Sequence, residues 1–165
     1  MTRDTRTMKT FTADLLNRMI AEAGSLPRRR THHNLHESAD DPVQRYFVAA
    51  RQDSYFRPHR HAARREFAVV VQGRFDILLF DDAGRVTRRV PLGPGAEAFG
   101  FELPPGIWHS WVVMSDAAVF AEVKAGPYDP KTAAEFAPWS PAEGTPEAAR
   151  LLEHMRRAGA GERLI

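Results

Sequence analysis

Cysteine is absent from the 165 residues. That excludes disulfides and thiolate metal sites, so any bound metal must be held by histidine and carboxylate. Long apolar runs are absent too: nothing approaches the roughly 20 residues of a membrane-spanning helix. The opening "MTRDTRTMKTFTADLL" has charges but no apolar stretch of a secretory leader, so neither a membrane partner nor export is expected and a cytoplasmic location is the expectation. Nor is there an excess of one charge sign. Lys+Arg number 23 against 21 Asp+Glu, a net +2, and a nucleic-acid partner is not expected from so even a balance. The one basic run, Arg28-Arg29-Arg30 followed by His32 and His33, reads as a solvated loop.

What is present is a globular composition, 43% hydrophobic and 27% charged, read as a single domain over residues 1–165 with a substantial core. Residues 1–10 read as a tail. Thr12 is placed to cap a helix within residues 10–24, with Leu15, Leu16, Met19, Ile20 and Ala23 on one face and Gly24 as its stop. Residues 25–44 are polar and irregular, and read as a long loop with room for a short strand. From Arg45 to Lys124 the pattern changes to about eight short β-branched or alternating runs, punctuated by turn signals such as Asp81-Asp82-Ala83-Gly84 and Pro104-Pro105-Gly106, which predicts an all-β sandwich or jelly-roll barrel. A Pro-rich stretch, 125–144, is expected to wrap the outside. Thr145 and Pro146 start a second helix within 145–159, with Leu151, Leu152 and Met155 as its apolar stripe.

The chemistry sits in "PHRHAARREF" (58–67). Next-but-one side chains on a strand share a face, so His59 and His61 look the same way. Glu66 opens the following strand, where a chain reversal returns it beside them. Much later, the turn at Pro104-Pro105-Gly106 delivers His109 to the start of another strand. Three imidazoles and one carboxylate suit one divalent first-row metal, Fe, Mn, Ni, Zn or Cu. Four protein ligands on an octahedral ion leave two positions for a substrate, water or dioxygen.

These residues carry a family resemblance. His59-x-His61-x4-Glu66-x6-Gly73 resembles the first cupin motif, and Pro104-x-Gly106-x2-His109 the second. In cupins the matching residues are the metal ligands, and the fold is a double-stranded β-helix, or jelly-roll barrel. Asp53 stands where the first motif often opens with glycine, and Val113 where the second often closes with asparagine; both are structural positions rather than ligands. The segments "RRRTHHNLHES", "DPVQR", "SYFRPHRH", "LLFDDAGRV", "LPPGIWHS", "EVKAGPYDP" and "FAPWSPAEG" are similar to the WbuC-type cupin-fold metalloproteins, over residues 10 to 145. That resemblance implies a metal site and an association with bacterial O-antigen and surface-polysaccharide gene sets. It names no reaction, and it admits a homodimer, since cupin barrels often pair.

A small-molecule partner, a sugar or sugar derivative, is therefore the expectation. Asn34, His36, Arg45, Tyr55 and Arg60 are its candidate contacts, although strand alternation turns Arg60 away from His59 and His61. Glu122 and Lys124 share one face of a strand whose other face is apolar, and with Tyr128 they are the candidates for acid–base work. Three functions fit: a metal-dependent enzyme such as an isomerase or epimerase, an Fe(II)-dependent dioxygenase, and a non-catalytic metal-dependent binding module. No DNA-binding motif is seen to support a transcriptional sensor. Trp108 and Trp111 are expected in the core, and His154 on the exposed side of the last helix.

Overall fold

The computed structural model describes residues 8–165; the first seven positions of the expected tail lie outside the described residues. Helix α1 (Ala13–Ser25) is capped by Thr12, whose hydroxyl accepts the Leu15 N–H at 3.3 Å. It does not stop at Gly24 as expected. It runs on to Ser25 and ends where Leu26 turns extended, the conformation favoured ahead of a proline, here Pro27.

Ten strands follow: β1 (Arg30–Asn34), β2 (Val43–Arg51), β3 (His59–Arg60), β4 (Glu66–Gln72), β5 (Phe75–Phe80), β6 (Val86–Leu92), β7 (Gly100–Leu103), β8 (Trp108–Val113), β9 (Ala117–Ala125) and β10 (Glu135–Phe136). They form two antiparallel five-stranded sheets, ordered β1-β2-β9-β4-β7 and β10-β3-β8-β5-β6. This is the jelly-roll barrel the turn spacing predicts. β1 is the short strand allowed for within residues 25–44, and it pairs with β2 along its whole length. β7 is shorter than its sequence suggests, because Gly93 to Ala98 close a turn through the Gly93 N–H to Ala98 C=O bond at 3.1 Å.

Alternation along the strands sorts the core into layers. Val48, Val70 and Phe120 of the first sheet meet Phe75, Ile77 and Trp111 of the second between the sheets. The outer face of the first sheet, at Phe47, Ala49 and Val119, is covered by Met19 of α1. The outer face of the second, at Leu78, Phe80 and Val112, is covered by Leu151, Leu152 and Met155 of helix α2 (Pro146–Arg157). Gly73 makes the β4–β5 turn with φ +71°, and a Cβ there would stand 2.3 Å from the Ala117 carbonyl, so only glycine fits. Among the described residues no helix is long and apolar enough to cross a membrane.

Arg89 fastens α2 to the barrel. Its Nε lies 2.6 Å from Asp76 Oδ2, and its terminal nitrogens donate to the carbonyls of Met155, Arg156 and Ala158 at 2.8–2.9 Å. These are last-turn carbonyls that no helical N–H reaches. Removing the guanidinium strands a buried Asp76. Arg89→Met is therefore expected to lower the unfolding free energy by about 2–4 kcal/mol, read from urea denaturation.

Candidate metal centre

Strand register brings the two histidine motifs together. His59 of β3 stands directly opposite His109 of β8, and Glu66 of β4 directly opposite Lys124 of β9. Each pair faces the space between the sheets, near one end of the barrel. The ligand-capable atoms of His59, His61, Glu66 and His109 all lie within 4.8 Å of one another. The ring centroids of His59 and His109 are 4.4 Å apart, and those of His59 and His61 5.1 Å. His61, Glu66 and His109 are buried and His59 is half-buried.

All three imidazoles are oriented the same way. Nδ1 of His59 lies 2.8 Å from the Arg57 carbonyl, Nδ1 of His109 2.9 Å from that of Ile107, and Nδ1 of His61 2.6 Å from that of Ala133. A carbonyl only accepts, so each Nδ1 carries a proton and donates it, and each Nε2 is turned to the centre. Backbone anchoring of the outer nitrogen is the usual support of a metal-ligating histidine.

Glu66 is the anion at the middle. Its Oε2 lies 2.7 Å from His61 Nε2, 3.4 Å from His109 Nε2 and 3.6 Å from Lys124 Nζ. Burial alone would raise its pKa, but the nearby charges of Lys124 and His109 and the hydrogen bond with His61 outweigh burial and hold it well below the carboxylate range. Burial lowers His109, yet Glu66 prevails and raises it. Burial and the neighbouring His109 hold His59 well below its ordinary value. Two buried atoms at the centre, Glu66 Oε1 and His109 Nε2, have no hydrogen-bond partner. Uncompensated buried acceptors are costly, and a cation among four converging donor atoms supplies what both lack. The set of three nitrogens and one carboxylate oxygen fits a first-row divalent ion.

The centre opens into a cleft. An inner cavity of about 220 Å³ is bounded by His59, His61, Glu66, Glu122 and Lys124 over an apolar floor that includes Phe56, Trp111 and Phe120. An outer cavity of about 580 Å³ shares Arg28, His32, Tyr46, Lys124, Tyr128 and Ala133 with it. Lys124 and Glu122 pair directly, and Tyr46 donates its hydroxyl to Glu122 at 2.7 Å. Burial and the nearby Glu66 raise the Glu122 carboxyl. Tyr128 lines the mouth, 51% exposed.

Of the expected ligand contacts, Asn34 and His36 line the outer cavity. Three lie elsewhere. Arg45 pairs with Asp41 on the opposite face of β2. Tyr55 is buried in the core beneath α2, its hydroxyl on the Pro141 carbonyl. Arg60 pairs with Glu135 and lies over the Trp108 ring. His32, read as a solvated loop residue, and Arg57 both line the inner cavity. Residues 125–144 do more than wrap the barrel: β10 pairs with β3, Ala133 orients His61, and Glu143 binds Arg28 and Arg30 at the cleft.

A family profile described as "Domain of unknown function (DUF6016)" matches residues 11–92. No curated protein sequence matches the chain. Among solved structures, a Shewanella oneidensis protein is similar at 13% identity, with 64% of this chain and 72% of that chain covered and a TM-score of 0.53. Oxalate oxidase in complex with the substrate analogue glycolate is similar at 17% identity, with 69% and 58% covered and a TM-score of 0.52. A cupin 2 conserved barrel domain protein from Rhodopseudomonas palustris is similar at 15%, with 65% and 66% covered and a TM-score of 0.50. At these identities the likeness is one of fold, and that fold is the cupin barrel.

Metal-free protein tests the electrostatics of the centre. His109 is expected to titrate above its ordinary 6.5. In Glu66→Gln the raising carboxylate is gone and burial is opposed only by the Ile107 carbonyl, so the His109 midpoint should fall from its parent value, as followed by NMR of the imidazole C–H signals.

Proposed function

We propose that this cupin barrel binds one divalent transition metal through Nε2 of His59, His61 and His109 and the carboxylate of Glu66, and works there as an enzyme on a small sugar or sugar derivative. The observation that carries the metal assignment is the shared orientation of the imidazoles. Three backbone carbonyls hold three Nδ1–H groups outward, so the inward nitrogens and a buried carboxylate converge on one point.

When bound, the metal supplies Lewis-acid polarisation of a ligand oxygen, with positions left free by its four protein ligands. The chain supplies the rest. The apolar floor at Trp111 and Phe120, stacked with centroids 4.0 Å apart, excludes water from one side of the ligand. Glu122 is the group placed to hold or move a proton: it is 5% exposed, lines the cavity, and is braced by Tyr46 and Lys124. Its raised pKa suits general acid–base work. Tyr128 borders the mouth, where a bound ligand would pass. The similarity of the quoted sequence segments to WbuC-type proteins supports a role in surface-polysaccharide metabolism.

Elemental analysis of protein purified without a histidine tag tests the assignment, beside the His59→Ala/His109→Ala double variant. The parent is expected to hold about one equivalent of a first-row metal and the folded double variant essentially none. Zinc or manganese would fit Lewis-acid work on a sugar, whereas iron would select oxygen chemistry. A parent that stays metal-free after reconstitution would overturn the metal assignment.

A further inference from the structure

One cation of the cleft is held in place without being neutralised. The Arg57 guanidinium donates from Nε to Ser140 Oγ and from one terminal nitrogen to the Ser140 carbonyl, both at 2.9 Å. Its carbon lies 4.7 Å from the centre of the Phe136 ring. Ser140 is 4% exposed, and its own hydroxyl proton goes to the Ala137 carbonyl at 2.7 Å. The Ser140 oxygen is thus left as an acceptor aimed at Arg57. Among the described residues no carboxylate pairs with Arg57, and its second terminal nitrogen donates to none of them. The side chain lines the inner cavity with His59.

The other cations lining that cavity are matched. Arg28 and Arg30 share Glu143, and Lys124 is paired with Glu122 and Glu66. A guanidinium fixed on two sides, stacked on a third and open beside a metal centre is suited to receive an acid group, because its remaining N–H donors are preorganised. The outer cavity adds polar side chains: Asn34, His36 and Gln44 line it beside Arg28, Glu37, Arg64 and Lys124, and amide and imidazole groups hydrogen-bond to hydroxyls.

We propose, building on the metal-site assignment above, that the cleft takes a hydroxyl-bearing ligand with an anionic group, carboxylate or phosphate, and that Arg57 holds that group beside the metal. Arg57 is then a specificity residue, selecting acids over neutral sugars of the same size.

The full-length protein, loaded with Zn²⁺ and assayed for zinc content, is titrated calorimetrically with D-galacturonate, D-galactose 6-phosphate and D-galactose. At least one acid is expected to bind about tenfold or more tightly than galactose. Tight binding by the uronate alone assigns a carboxylate ligand, and by the phosphate alone a phosphate ester. Arg57→Gln should lose most of that advantage while keeping its zinc, and Arg57→Lys should keep part of it. Should Arg57→Gln not fold, Ser140→Ala frees the guanidinium from its side-chain anchor and should weaken acid binding at unchanged zinc content. No preference for either acid in the parent, or a preference that survives in folded Arg57→Gln, overturns the proposal. Zinc content is scored separately, so a protein that holds no zinc defeats the metal assignment alone; acid preference is then read on the metal-free protein, where the Arg57 anchors are the same.

Discussion

A carboxylate only 2% exposed sits at the centre of this barrel. Burying an anion is costly unless cations and hydrogen-bond donors compensate it, and Glu66 draws its compensation from two strands and the segment that follows a third. β4 places it opposite Lys124 of β9, β8 brings His109 to 3.4 Å, and the chain just beyond β3 brings His61 to 2.7 Å. A slip of one residue in any of these pairings would turn the partner to the other face. The register of both sheets and the composition of the site are therefore one requirement. The two oriented but unpartnered atoms, Glu66 Oε1 and His109 Nε2, are where that requirement asks for a metal ion.

The C-terminal third of the chain completes what the barrel strands begin. Ala133 fixes the His61 ring, Ser140 fixes Arg57, and Glu143 neutralises two arginines at the cleft. Helix α2, anchored through Arg89, covers the far face of the sheet that carries His59 and His109. A metal-facing sheet buttressed on its back and strapped at its edge is rigid where ligand geometry has to be kept, which is the demand a preorganised site makes.

Much of this was legible in the sequence. His59, His61, Glu66 and His109 stood out because residue type and spacing agree with one face of a strand and a chain reversal. The alternation of Phe120, Glu122 and Lys124 against Val119, Ala121 and Val123 located the polar face of β9, and that face lines the cavity. What was not legible depends on distant partners. Arg57 is one of 23 basic residues, and its meaning comes from Ser140, 83 positions away. Tyr55 lies near the first motif in sequence but packs beneath α2, a tertiary fact no local pattern carries. A short strand within residues 25–44 was allowed for, but its place at Arg30–Asn34 was not legible, because this polar strand gains its order from pairing with β2 rather than from an apolar run.

Anomalous scattering from crystals of the zinc-loaded protein tests the central claim most directly. The metal peak should lie about 2.0–2.2 Å from Nε2 of His59, His61 and His109 and from a Glu66 oxygen, with the Nδ1 atoms still on the carbonyls of Arg57, Ala133 and Ile107. A peak elsewhere, for example between His32 and His36 in the outer cavity, or no peak at all, would contradict the account.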